Sequence, residues 1–337
     1  MRLTVEQIQS VAKGFAYITE ETEGIFFHRF TKEQEHLYKS LKPWHFFNTL
    51  APAGVKLMFK TDSRKIGLKI KTKIGGSRQC FSVDVSVNGD IIGSILNFDE
   101  QNLVEDYVTA EYPCGEYVQE FSLGEGIKTI CVYLPWSVTF YLQAVELDDG
   151  AILDPVPTSR KLLAYGDSIT QGYDALRSYN RYSGKLSEIL GAEEFNKAIG
   201  GAGFFPELVA LKENFVPDYV TVAYGTNDWN LREKAEFTYN CQKVYETLSN
   251  YYPSAQIFAI TPIWRSDYEE VKKMGCFSTV EDTVRKVTEK LTNVVVISGF
   301  ELVPPNSQYF ADRWVHPNDD GFHFYFRNLY NEIKKYL

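Results

Sequence analysis

Apolar and polar positions follow two different rhythms, one in each half of the chain. In FSVDVSVNGDIIGSI, Phe81 to Ile95, apolar residues alternate with polar ones up to Asn88-Gly89 and resume with Ile91 and Ile92. Alternation running into Asn-Gly predicts a β-hairpin, because both residue types tolerate the positive φ that a tight hairpin turn requires. GVKLMFKT, KIGLKIKTKI, KTICVYLP and FYLQAVELDDG add further short strands, with no amphipathic helix read between them. That pattern predicts an antiparallel β-sandwich. Gly, Pro and Asp then cluster over ELDDGAILDPVPTSRK, Glu146 to Lys161, and place the predicted boundary between residues 1–154 and 155–337.

Beyond the boundary, strands and helices alternate. LLAYG, EEFNKAI, DYVTVAYG, QIFAITP and NVVVISG are short apolar runs, as expected of parallel strands covered on both faces. Helices are predicted over Ser178 to Leu190, Leu231 to Tyr251, Thr279 to Leu291 and Gly321 to Tyr336. In the last of these, Phe322, Phe326, Leu329, Ile333 and Leu337 form a stripe that should pack on the sheet.

Chemistry collects at the predicted strand ends, where free backbone amides face the cleft of an open α/β sheet. After the first strand comes GDSITQG, with Ser168; its bland reading is a helix cap, its functional one a nucleophile. After the second comes NKAIGGAGFF, whose glycines let backbone N–H groups approach a ligand; after the third, GTND, with Asn227 as a side-chain donor. Near the C-terminus, HPND places His316 just before a helix. Each is weak alone, but all four fall in order at the ends of one predicted sheet.

Composition narrows the classes. At 337 residues the chain is long enough for two domains, and a net charge of -9 argues against a nucleic-acid partner, which requires a basic face. Cys80, Cys114, Cys131, Cys241 and Cys276 are scattered without CxxC spacing, so no metal site is signalled and buried free thiols are expected. The first twenty residues hold no apolar run of the kind a secretory signal has, and no stretch approaches the ~18 apolar residues of a membrane span. A cytoplasmic protein without a membrane partner is the expectation.

The four ordered blocks resemble those of the SGNH or GDSL hydrolases, over about Lys161 to Leu337. The resemblance implies a flavodoxin-like three-layer α/β/α domain and an ester-hydrolysing serine. The N-terminal sandwich is similar to the jelly-roll-like module of two-domain carbohydrate esterases. Carried over by residue, Ser168 matches the nucleophile and His316 the base; the Ser168 and Gly201 N–H groups and the Asn227 side chain match the oxyanion hole. The family's acid stands three residues before the histidine, a position held here by Arg313, whereas Asp312 lies four before. Asp312 is the expected partner of His316 provided that the loop is coiled; the alternative acceptor is the Trp314 carbonyl.

Tyr173, Trp229, Trp264 and Trp314 adjoin the blocks and are candidate substrate contacts, since a sugar ring stacks well on an aromatic face. No long apolar lid is visible, so a small acyl group, acetyl first, is favoured. The expected activity is removal of acetyl groups from sugar hydroxyls in a small-molecule or oligosaccharide ester, with neither metal nor organic cofactor. Its alternatives are an acyltransferase using the same site and a catalytically silent glycan-binding protein.

Overall fold

Strand pairing changes from antiparallel to parallel between Pro155 and Arg160 in the computed structural model, which describes residues 1–76, 78–104 and 106–337. Before that point two sheets face each other. One runs Ala12–Lys13 (β1), Lys56–Thr61 (β4), Lys128–Tyr133 (β9), Ser82–Val87 (β6) and Asp90–Leu96 (β7), with Asp154–Pro155 (β11) also on β4. The other runs Tyr17–Glu21 (β2), Gly24–His28 (β3), Thr139–Leu147 (β10), Lys65–Lys73 (β5) and Glu116–Ser122 (β8). Alternation in β5 sends Ile66, Leu68 and Ile70 inward against Leu57, Phe59, Val83 and Val132 of the facing sheet. The β6–β7 hairpin turns at Asn88 and Gly89, with φ of 52° and 96°, as the Asn-Gly pair predicts.

The N-terminal half is less purely β than its sequence pattern implies. Helices Val5–Val11 (α1), Lys32–Leu41 (α2) and Pro43–Thr49 (α3) are added to the sandwich, the last two between β3 and β4. Both α1 and α2 begin with a capping box, Thr4 with Gln7 and Thr31 with Gln34, a signal present in the sequence.

The second half is one parallel sheet in the order Ala192–Asn196 (β13), Arg160–Gly166 (β12), Tyr219–Ala223 (β14), Gln256–Ile260 (β15) and Val294–Ile297 (β16). This 2-1-3-4-5 order is that of flavodoxin-like sheets, whose ligand crevice opens where the order reverses, here between β12 and β14. Successive residues of β12 point to opposite faces. Leu163 joins the core under Lys234–Tyr251 (α8) and Ser278–Thr288 (α9), and Leu162 the core under Tyr182–Ile189 (α5) and Asp319–Ile333 (α10). Within α10, Phe322, Leu329 and Ile333 are fully buried and Phe326 packs against them, but Leu337 lies past the helix end and is exposed. Cys80, Cys131 and Cys241 are buried; Cys114 is partly so, and Cys276 is exposed because it sits in the loop before α9.

Polar side chains stitch the sandwich to the parallel domain. The buried guanidinium of Arg29 donates to the carbonyls of Ala51 at 2.6 Å, Asn48 at 2.9 Å, Asn196 at 2.8 Å and Ala198 at 3.2 Å. It thereby ties α3 to the turn after β13. Lys197, also fully buried, donates in return to the Arg29 carbonyl at 2.7 Å and to Gln34 at 3.0 Å, and pairs with Glu213 at 3.2 Å. Buried carbonyls left without donors cost roughly 1–3 kcal/mol each, not additively. Arg29→Met, which keeps bulk and removes every donor, should therefore lower the unfolding free energy by about 3 kcal/mol. Urea denaturation followed by tryptophan fluorescence measures it; a loss under about 1 kcal/mol would show that these bonds do not hold the domains together.

Candidate active site

The strand-to-helix turn after β12 is tight enough to require glycine. A Cβ on Gly166 would sit 2.2 Å from Thr170 Oγ1, so only glycine lets Ser168–Gln171 (α4) fold back over the strand end. Asp167 caps this helix by accepting from the Ile169 N–H, leaving the Ser168 hydroxyl for another partner. The capping and the chemical readings of Asp-Ser thus fall on different residues. Gly172, at φ +117°, ends the helix beside Arg181.

The Ser168 Oγ lies 2.8 Å from His316 Nε2, and His316 Nδ1 lies 2.7 Å from Asp312 Oδ2. A carboxylate on Nδ1 fixes the ring proton there and leaves the Nε2 lone pair toward the serine hydroxyl. The four-residue spacing works because the loop coils. Arg313 takes φ +56°, and Asp312 Oδ1 accepts from the Trp314, Val315 and His316 N–H groups at 2.9, 2.9 and 3.1 Å. The Trp314 carbonyl instead accepts from the Ser266 N–H at 2.9 Å. Burial works to raise the Asp312 carboxyl, but the His316 hydrogen bond and charge, with the Val315 and Trp314 N–H groups, outweigh it and hold it at about 2. It stays ionised throughout the range in which an ester assay is run.

Gly201, in the turn after β13, takes φ +78°, and Gly200 and Gly203 on either side of the Gly201-Ala202 pair are glycines for want of space: a Cβ on Gly200 would meet Tyr173 Oη at 2.4 Å, and one on Gly203 the Asp228 carboxylate at 2.4 Å. Asn227, in Thr226–Leu231 (α7), donates from Nδ2 to the Ala202 carbonyl at 2.9 Å, which seats its amide against this turn. Asp228 accepts from Phe204 N–H at 3.2 Å and pairs with Arg232 at 2.8 Å, while burial pushes its carboxyl up to about 6. Gln171 is a member of GDSITQG whose part only the structure reveals. It accepts from Gly200 N–H at 2.8 Å and donates to the Trp136 carbonyl of the sandwich at 3.0 Å, coupling both domains to the glycine turn.

Two of the four aromatic candidates are corrected. Trp229 is 0% exposed, its indole N–H donating to the Gly275 carbonyl at 2.8 Å, and Trp264 packs on Phe310; neither face is open to a sugar. Tyr173 is also buried, but its ring lies 5.6 Å from that of His316 and forms the site's wall. Trp314, 43% exposed, offers a face to solvent, and Arg265 stacks on it and on Trp229. Sequence reasoning missed the sandwich's share. In α3, His45 Nε2 lies 3.4 Å from where a Cβ on Gly201 would stand, Asn48 Oδ1 accepts from the Tyr173 hydroxyl at 2.9 Å, and Trp44 is 86% exposed.

The ligating atoms of Asp174, Asp312 and His316 lie within 4.8 Å of one another, the grouping among the described residues that comes nearest to a metal site. His316 is engaged by Ser168 and Asp312, and Asp174 is already paired with the Arg78 guanidinium at 2.6 Å. The donor set therefore suits proton transfer better than metal binding.

Residues 164–323 match the model of the GDSL-like lipase/acylhydrolase family. No curated protein matches the chain. Among solved structures, a salicylyl-acyltransferase from a tetracycline biosynthetic pathway superposes with a TM-score of 0.79 at 18% identity, covering 96% of this chain and 94% of that one. A candidate GDSL-like lipase from Bacteroides ovatus gives 0.76 at 19%, over 99% and 97%. A family two carbohydrate esterase from Clostridium thermocellum, in complex with cellohexaose, gives 0.61 at 17%, over 85% and 95%. At these identities the likeness is one of fold, and it spans both the sandwich and the parallel domain.

The Asp312 contact yields a quantitative expectation. Asp312→Asn places an amide at Nδ1 and favours the wrong ring tautomer, so kcat for p-nitrophenyl acetate should fall by up to about 10⁴ with the fold retained. A folded variant losing less than about tenfold would remove Asp312 from the orienting role.

Proposed function

Since residues 164–323 form a hydrolase domain of the GDSL-like lipase/acylhydrolase family, we propose that this protein is a serine esterase that removes small acyl groups, acetyl foremost, from sugar hydroxyls. The observation that carries the reading is the 2.8 Å approach of Ser168 Oγ to His316 Nε2, with Asp312 on the ring's other nitrogen, at the reversal point of the sheet.

In this mechanism Ser168 Oγ attacks the ester carbonyl carbon as its proton passes to His316 Nε2. The resulting oxyanion is held by the Ser168 and Gly201 N–H groups and by the Asn227 amide. These donors face charge that the ground-state ester lacks, so they stabilise the transition state preferentially, each by about 10² to 10³ in kcat. The tetrahedral adduct collapses, the C–O bond to the sugar breaks, and His316 returns the proton to the leaving oxygen. Water, activated by the same ring, then hydrolyses the acyl-serine and restores the hydroxyl. Asp312 stabilises the transient imidazolium without itself taking the proton.

Two features support a small acyl group on a saccharide. His45 Nε2 lies close to Gly201, which favours a small acyl group there, and Trp314 and Trp44 present exposed aromatic faces, one from each domain. A second reading, transfer of the acyl group to an acceptor alcohol, is favoured by the likeness to the salicylyl-acyltransferase; it differs only in what attacks the acyl-serine.

A panel of acetylated oligosaccharides, with mass spectrometry of products in the presence and absence of acceptor alcohols, tests both readings. Release of free acetate from a sugar ester, abolished by Ser168→Ala, is the expected result. Acetyl appearing on the acceptor in preference to water would establish transfer, and turnover retained by a folded Ser168→Ala enzyme would overturn the serine mechanism.

A further inference from the structure

Asp174 brings a second carboxylate to the catalytic imidazole. Its fully buried side chain places Oδ2 3.4 Å from His316 Nδ1, beside the 2.7 Å contact made by Asp312. Two anions at one ring favour the imidazolium, which has no lone pair for the serine proton. The countercharge comes from the other domain. Arg78, in the loop between β5 and β6, donates from Nε to Asp174 Oδ1 at 2.6 Å and from Nη2 to Oδ2 at 3.2 Å, a two-point guanidinium–carboxylate pairing. Among the described residues it is the only lysine or arginine paired with Asp174.

The pairing is built in from several sides. Asp174 occupies the left-handed region at φ +71°, which is uncommon for a residue other than glycine and persists only where the surroundings enforce it. Its carbonyl accepts from the Tyr107 hydroxyl at 2.8 Å, the next carbonyl, of Ala175, accepts from Trp136 Nε1 at 2.9 Å, and the Arg78 guanidinium lies 5.5 Å from the centre of the Tyr173 ring. Arg78, Tyr107 and Trp136 all belong to the sandwich.

We propose that Arg78 is a positioning residue of the active site: it neutralises and anchors Asp174, so that His316 faces the charge of Asp312 alone and stays available as the base. The inference rests on the reading of Ser168 and His316 as nucleophile and base. Other groups near the ring do not substitute for Arg78. Burial pushes Asp167 up to about 7 and Asp319, behind the Asp174 turn, up to about 6; Cys80 is pushed up to about 12 and Tyr107 higher still, so both are neutral. None of them is a cation, and all are common to the variants compared below.

The test is a double-mutant cycle in the full-length chain, read by NMR titration of the His316 ring and by the acid limb of kcat/KM for p-nitrophenyl acetate. Arg78→Met leaves an unpaired anion beside the ring, so proton uptake should move to higher pH by about one unit or more. Asp174→Asn leaves an unpaired cation and should move it to lower pH. The double variant should return close to the wild-type position, and Arg78→Lys should remain near it. Opposed, cancelling shifts are a signature that mere loosening of structure would not give. Single variants that fold but titrate like wild type, or shift in the same direction, would overturn the proposal. Should Arg78→Met fail to fold, Asp174→Asn decides alone, since an unmoved titration there is equally fatal. Because the ring is observed directly, the shift is measured whatever ester the enzyme prefers, and failure on every sugar acetate would count against the substrate and not against Arg78.

Discussion

The proposed site turns on one imidazole, His316, held between a serine hydroxyl and acidic side chains. His316 Nε2 lies 2.8 Å from the Ser168 hydroxyl while Asp312 holds its other nitrogen at 2.7 Å. A carboxylate at that distance orients the ring and stabilises its charged form after proton transfer, but any further uncompensated anion would charge the ring too early. The coil at Arg313, the three N–H groups on Asp312 Oδ1 and the Arg78 clamp on Asp174 all serve that balance.

That balance explains why the two domains are bonded so closely. The parallel sheet supplies Ser168, the glycine turn and Asn227 from consecutive strand ends, where free amides gather. Turns this rich in exposed backbone need partners, and the sandwich provides them: Arg29 on the carbonyls of Asn196 and Ala198, the Trp136 carbonyl for Gln171, and Asn48 for Tyr173. The loops after the first two strands of the parallel domain are thus each met by a sandwich side chain or carbonyl. The sandwich therefore contributes to the site itself and is more than an appended module.

Local features were legible in the sequence, and long-range ones were not. Alternation, Asn-Gly and the change of rhythm near residue 155 mark the sheets because each is a property of neighbouring residues. The four blocks mark the strand-end cluster for the same reason. Asp312 could be named only on condition of a coiled loop, since the left-handed turn at Arg313 leaves no signature in the residue type. Trp229 and Trp264 show why aromatics mislead: burial and substrate contact select the same side chains, and only the fold separates them. Arg78 and Asp174 stand 96 positions apart in different domains, so no spacing rule connects them. The strand-dominated pattern of the first half hides helices α1, α2 and α3, although capping boxes at Thr4 and Thr31 mark the first two.

The central claim is that Ser168, activated by His316, carries the acyl group covalently. Mixing enzyme with an excess of p-nitrophenyl acetate, quenching in acid within the first turnover and mapping peptides by mass spectrometry tests it most directly. The account predicts one acetyl group per chain, on Ser168, that forms with the burst of nitrophenol and disappears as the substrate is exhausted. A full burst and steady turnover with the peptide carrying Ser168 unmodified at every time, or with the acetyl group on another residue, would contradict it.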